Sequence, residues 1–203
     1  MKKLLIIIAV LTSTASFAQR SFWSFNYPIS FALGEQRDFI GKTSFRGFGI
    51  DGRGFLNNNI SIGGHWSWEV FNEIKRDLPP IPINVSNDAN IKGEISGVQY
   101  RFLNVMPILV NAHYYMGSDG AVRPYVGLGI GTSYVDERTD IGLVSIQTKT
   151  WRFALQPEAG VMIPFGLTGV GANVAARFRY AAKAGDSLPI SFFSLSVGLG
   201  FMN

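Results

Sequence analysis

In eight stretches of the chain, apolar and polar side chains alternate with a period of two residues. The first sets Phe25, Tyr27, Ile29, Phe31 and Leu33 against Ser24, Asn26, Pro28, Ser30 and Ala32. The second, about 44–55, is weaker: Phe48 and Ile50 share one parity, Asp51 and Arg53 the other. The third runs from Ile60 to Val70, with Trp66 and Trp68 opposed to His65, Ser67 and Glu69. The fourth, 98–114, puts Val98, Tyr100, Phe102, Met106, Ile108 and Val110 on one face, with Gln99, Arg101, Asn111 and His113 on the other. Four more follow at 122–134, 151–163, 170–180 and 193–201, with Arg123, Arg152, Glu158, Arg177 and Arg179 all on the polar parity. A period of two is the signature of a strand with two different faces.

A soluble sandwich alternates as well, but its polar face meets water. Here that face carries Gly, Ser, Asn and Arg, with little Lys, which suits the crowded interior of a narrow barrel. Aromatic residues stand near the strand ends on the apolar face, among them Tyr100, Phe102, Tyr134, Trp151, Phe153, Phe178 and Tyr180. That is where an interfacial aromatic girdle belongs. The connections near 35–43, 72–96, 136–149 and 182–190 are long, and those at 56–59, 117–121 and 165–168 are tight. Short inner turns and long outer loops characterise membrane barrels. The fold class predicted is all-β: an eight-stranded antiparallel up-and-down transmembrane barrel.

The N-terminus adds an address. Lys2 and Lys3 precede an apolar run from Leu4 to Leu11, and Ser16-Phe17-Ala18 offers a cleavage site. This is the plan of a secretory signal peptide. The run is shorter than the roughly 20 residues that span a bilayer as a helix. Residues 1–18 are therefore expected to be removed, leaving a barrel domain over 19–203 of about 185 residues, the size of one domain. Loss of the two lysines lowers the formal charge from +4 to +2. A balance that mild gives no reason to expect a nucleic-acid partner. The chain has no cysteine, so neither a disulfide framework nor a thiolate metal site is expected.

Three segments, GFGIDGRGFLNNNISIGGHWSW at 47–68, VRPYVGLGIGTSY at 122–134 and SFFSLSVGLGF at 191–201, resemble the small outer-membrane β-barrel proteins of the OmpA, OmpX and OmpW type. The resemblance covers the whole mature chain. It implies a porin-like barrel in the outer membrane of a Gram-negative bacterium, inserted from the periplasm by the barrel-insertion machinery and surrounded by outer-membrane lipid. Such families usually end on an aromatic residue, whereas here Met202 and Asn203 follow Phe201. No wall-anchoring domain is expected after the barrel.

Eight strands leave a lumen that side chains just fill. Parity places Asp51, Arg53, Glu69, Arg101, Arg123, Arg152, Glu158, Arg177 and Arg179 inside it. Unpaired charge there is costly, so an ionic network is expected, with a structural plug as its simplest role. The excess of arginine makes a small anion-preferring pore the alternative. His65 and His113 have no acid cluster at ligand spacing, so no metal is expected. GLGIG at 127–131 lacks the spacing of a dinucleotide loop, so no cofactor is expected. A lipid A-modifying enzyme would need a nucleophile and base near the rim, and no such group stands out.

The outer loops are the expected working surface. The connection at 72–96 contains LPPIPINV, in which Leu78, Ile81, Ile83 and Val85 are apolar for an exposed tip. They are expected either to cap the barrel mouth or to contact an envelope protein or surface ligand. The connection DERTDIGLVSIQTKT at 136–150 is expected to extend its neighbouring strands as a hairpin.

Overall fold

The computed structural model describes residues 20–76, 79–84, 92–118, 120–166, 168–185 and 187–203. The expected signal peptide, 1–18, lies outside them, as do Leu78 and Val85. Among the described residues, ten strands and one short helix follow in order: β1 (Arg20–Leu33), α1 (Glu35–Phe39), β2 (Gly47–Phe55), β3 (Ile60–Lys75), β4 (Ile81–Asn84), β5 (Lys92–Ile95), β6 (Gln99–Tyr115), β7 (Arg123–Ile141), β8 (Val144–Pro164), β9 (Val170–Ala181) and β10 (Ile190–Met202). Eight close into a ring in the order β1-β10-β9-β8-β7-β6-β3-β2, all neighbours antiparallel, while β4 and β5 pair separately as a small hairpin within the β3–β6 connection. Among the described residues no helix is long and apolar enough to cross a membrane.

The eight ring strands coincide with the eight alternating stretches. The second begins at Gly47 rather than near 44, although Ser44 still bridges Ser30 through two backbone hydrogen bonds. Prolines explain where the ladders break. Proline has no N–H to donate, so it interrupts pairing on the side its nitrogen faces. The β1–β2 ladder stops at Asn26↔Gly49, just before Pro28. The β3–β6 ladder skips Pro107, and the β8–β9 ladder skips Pro157. Each of these prolines remains in register with its other neighbour.

The outward face is apolar. On β7, Val126, Leu128 and Ile130 are exposed, and Tyr134 packs on Trp151 with ring centroids 5.2 Å apart. From Pro124 to Tyr134 the strand runs roughly 34 Å, which a tilt near 40° reduces to about 26 Å, the height of the apolar band of such barrels. β7 and β8 then continue past this belt through seven further residue pairs, from Val135↔Thr150 to Ile141↔Val144. Gly142, at φ 56°, supplies the left-handed backbone of the turn. The connection at 136–149 is thus a tall hairpin. With β3 and β6, which stay paired to Lys75↔Gln99, it forms a wall on one side of the mouth.

Inside, the filling is layered. At the end with the tight turns, Phe22, Phe55, Tyr115, Tyr125, Met162 and Ala175 form one apolar cluster. At the loop end, Phe71, Leu103, Val105, Val135, Ile190 and Phe192 form another. The second is closed from above by Ile40, which the β1–β2 connection lowers into the mouth. Arg101 donates to the Phe39 carbonyl at 2.9 Å and stacks on the Phe39 ring at 5.1 Å, and Glu73 accepts from the Gly41 N–H at 2.8 Å. Charged and polar side chains occupy the layer between.

Candidate functional site: the charged layer of the lumen

Among the described residues, six charged side chains from four strands meet in the middle layer. Asp51 on β2 accepts from Arg177 Nη2 at 2.7 Å and from Asn26 Nδ2 at 2.7 Å. Glu158 on β8 accepts from Arg177 Nε at 2.9 Å and from Arg53 Nη2 at 3.3 Å. Arg177 therefore bridges two carboxylates, and its third nitrogen donates to Ser196 at 2.9 Å. Arg53 lies 4.6 Å above the Tyr125 ring and donates to the hydroxyls of Tyr115, at 2.8 Å, and Tyr125, at 3.2 Å. Nearer the loop end, Arg179 pairs with Glu69, which also accepts from Ser30 and, at 3.2 Å, from Ser194.

The histidines complete this layer. Arg179 donates to His65 Nε2 at 2.8 Å, so the ring proton belongs on Nδ1, 2.7 Å from Asp51. His113 presents Nε2 to Glu158 at 2.7 Å and Nδ1 to the Ser61 hydroxyl at 3.3 Å. Because its Nε2 accepts from a guanidinium, His65 is neutral. Three carboxylates then face three guanidinium groups. Balanced pairs are the form in which buried charge is tolerated, and of the Arg53 guanidinium only Nε is left without a hydrogen-bond partner.

Of the nine charged residues placed inward by parity, Asp51, Arg53, Glu69, Glu158, Arg177 and Arg179 are brought together. The other three lie apart. Arg101 is at the loop-end mouth, donating to Gln99 at 2.8 Å and to the α1 carbonyls. Arg152 pairs with Glu137 at 2.7 Å at the base of the tall hairpin. Arg123 is at the opposite end, donating to the Asn58 carbonyl and stacked 5.1 Å from the Tyr115 ring. Among the described residues no group of three acids and histidines could hold a metal ion. Ile81 and Ile83 fall on β4 of the small hairpin.

Sequence reasoning missed Tyr115 and Tyr125 as partners of Arg53. Both lie on the inward parity, but nothing local marks which arginine they meet. The glycines were a usable signal. A Cβ at Gly160 would stand 2.6 Å from the Tyr125 hydroxyl, one at Gly127 2.4 Å from the His113 ring, and one at Gly200 2.2 Å from the Phe22 ring. Glycine on one strand thus makes room for a large inward side chain from another.

A closed ring with an apolar exterior, an aromatic belt and a charge-balanced, side-chain-filled interior defines a small barrel built for a lipid bilayer. The outer membrane protein beta-barrel domain matches residues 5–201, and the chain belongs to that family, with the outer membrane as its location. Solved structures agree on the fold. Ail, the attachment invasion locus protein of Yersinia pestis, superposes with a TM-score of 0.53 at 13% identity, over 91% of this chain and 98% of that one. Neisserial surface protein A gives 0.53 at 14%, over 90% and 95%. OprG from Pseudomonas aeruginosa gives 0.50 at 12%, over 90% and 95%. No curated protein matches the sequence.

Proposed function

We propose that this outer-membrane barrel is a non-catalytic envelope protein that binds a protein partner through its outer rim, its lumen serving as a structural plug. In this reading residues 1–18 are removed on export, and the mature chain starts at Gln19. The observation that carries the interaction role is the free side of β8. From Val144 to Arg152, β8 pairs with β7 on one side and with no strand on the other among the described residues, because the β9 ladder begins at Ala154. Phe153 O accepts from Ala182 N on the β9 side. Since backbone direction alternates along a strand, Ser145, Gln147, Lys149 and Trp151 present their N–H and C=O groups to this open edge. An unpaired edge is a template for an added strand, with main-chain hydrogen bonds for affinity. The segment VSIQTKT is rich in β-branched residues, and Lys149 is its one charge.

The plug reading is supported by the two apolar layers and the neutral charged layer, which together leave conduction dependent on breaking buried ion pairs. Planar-bilayer recordings test it: verified insertion without unitary current is expected, and steady anion-selective current would restore the pore reading. For the rim, a photo-crosslinking residue at Ile146 is expected to trap a partner on intact cells, whereas one at lipid-facing Leu128 is not. Gln147→Pro removes an edge N–H without touching the β7 ladder. It is expected to abolish the adduct while the barrel still shows its heat-dependent gel shift. An adduct unchanged in Gln147→Pro would sink strand addition as the mode of binding.

A further inference from the structure

The segment that closes the mouth at the loop end has the build of a moving part. After β1 the chain turns at Gly34, whose φ of 54° is left-handed, passes through α1 and Ile40, and leaves at Gly41. Two glycines thus bracket residues 35–40, and hinges are short loop stretches that absorb a change in φ and ψ. Little within the segment holds its shape. α1 has five residues and no side-chain cap at Gly34, whereas an isolated helix is marginal below roughly 12–15 residues.

What holds the segment is the β3–β6 wall. Glu73 and Lys75 on β3 stand at the rim with Arg101 on β6, Glu73 directly across from Arg101. Arg101 donates to the Phe39 carbonyl and, at 3.3 Å, to the Asp38 carbonyl, which also accepts from Lys75. Glu73 accepts from the Gly41 N–H. All three side chains grip main-chain atoms, and Ile40 joins the apolar layer of Phe71, Leu103, Val105, Val135 and Phe192. One residue works against closure. Gln36 is 3% exposed, and among the described residues neither its Nε2 nor its Oε1 has a hydrogen-bond partner. A buried amide left unpaired costs free energy that water restores when the segment lifts.

We infer that residues 35–40 form a lid, hinged at Gly34 and Gly41 and latched by Glu73, Lys75 and Arg101, that opens on its own while the barrel stays folded. Open, it uncovers Val135 and Phe192 to the outside and, below them, the Glu69–Arg179 pair. Local opening of this kind belongs to segments that no ladder of strands holds in place. Conduction depends on the charged layer beneath, so lid movement and pore behaviour are tested apart.

A thiol beneath the lid reads its opening. The chain has no cysteine, Val135 is fully buried, and cysteine is close to valine in size. Val135→Cys barrels in lipid nanodiscs, their folding checked by the heat-dependent gel shift, are treated with a small charged methanethiosulfonate. Leu143→Cys, at the exposed turn of the tall hairpin, gives the rate of an open thiol. Labelling at position 135 is expected to be far slower than that reference yet complete while the barrel remains folded. Adding Arg101→Gln removes a latch and is expected to speed it about tenfold, the scale of one hydrogen bond from a charged group. Adding Gln36→Leu removes the unpaired amide and is expected to slow it about tenfold. Hydrogen exchange reads the same event without any substitution. The Ile40 N–H, which donates to the Gln36 carbonyl at 2.7 Å, is expected to exchange faster than the Val105 N–H in the wall beside it. Labelling at the reference rate, labelling indifferent to both added substitutions, or labelling speeded by Gln36→Leu would each overturn the lid. Exchange at Ile40 no faster than at Val105 would do the same.

Discussion

Arg177 touches both Asp51 and Glu158, and all three side chains are buried. Removing it leaves the two carboxylates only the longer contacts of Arg53, 3.8 Å from Asp51 and 3.3 Å from Glu158. Breaking a buried pair from one side costs about 3–5 kcal/mol, so Arg177→Ala is expected to lower the urea midpoint of the folded band on gels by a corresponding amount. Arg138 offers the contrast. It also forms an ion pair, with Asp140 at 2.6 Å, and the bond holds the Asp140 carboxyl below its usual range, but the pair stands in solvent above the membrane. Arg138→Ala is expected to leave the midpoint unchanged. Gly160→Ala tests the space reserved for Tyr125: its new methyl would meet the Tyr125 hydroxyl at 2.6 Å and the Val174 carbonyl at 2.7 Å. Overpacking of this kind costs about 1–3 kcal/mol, and the same urea series should register it. Side-chain direction was legible in the sequence, because a residue's parity within a strand fixes which face it joins. Pairing was not. Whether Arg53 meets Tyr115 or Gln156 depends on how far the ring shears as it closes, and no local pattern carries that.

At the scale of elements, alternation marked all eight ring strands because one face meets lipid and the other a crowded interior. The signal fails where both faces are apolar. On β6, Leu103, Val105 and Leu109 lie on the inward parity among outward Phe102, Met106 and Ile108, so the loop-end apolar layer was hidden inside a run that looked uniformly hydrophobic. It fails also for α1, whose five residues are too few to show a helical period. The layer those elements build has a measurable weight. Phe192 is 1% exposed and packs edge-on against Phe71 at 5.3 Å, so Phe192→Ala is expected to cost about 3–5 kcal/mol. The tall β7–β8 hairpin should behave in the opposite way. Replacing residues 136–149 by a two-residue turn removes the wall but leaves the membrane-level ladders of β7 and β8 intact. The shortened protein is expected to keep its resistance to detergent below boiling.

For the whole molecule, the first check is migration of the outer-membrane fraction, boiled against unboiled. A closed ring should stay compact in detergent until heated, then run at a different apparent size. The closed ring also has a bearing on how it assembles. The partners in the charged layer are far apart along the chain: Asp51 and Arg177 by 126 residues, His65 and Arg179 by 114, Arg53 and Glu158 by 105. A hairpin inserted alone would carry its arginines or its acids into lipid without their counterparts, where charge is expensive. Each partial sheet is therefore penalised until β9 and β10 arrive and β1 meets β10. Non-local contacts of this span also make for slow folding. Insertion should accordingly be late and nearly all-or-none, with few half-built barrels in the bilayer, and the strand that ends the wait is the one that comes last in the ring along the chain.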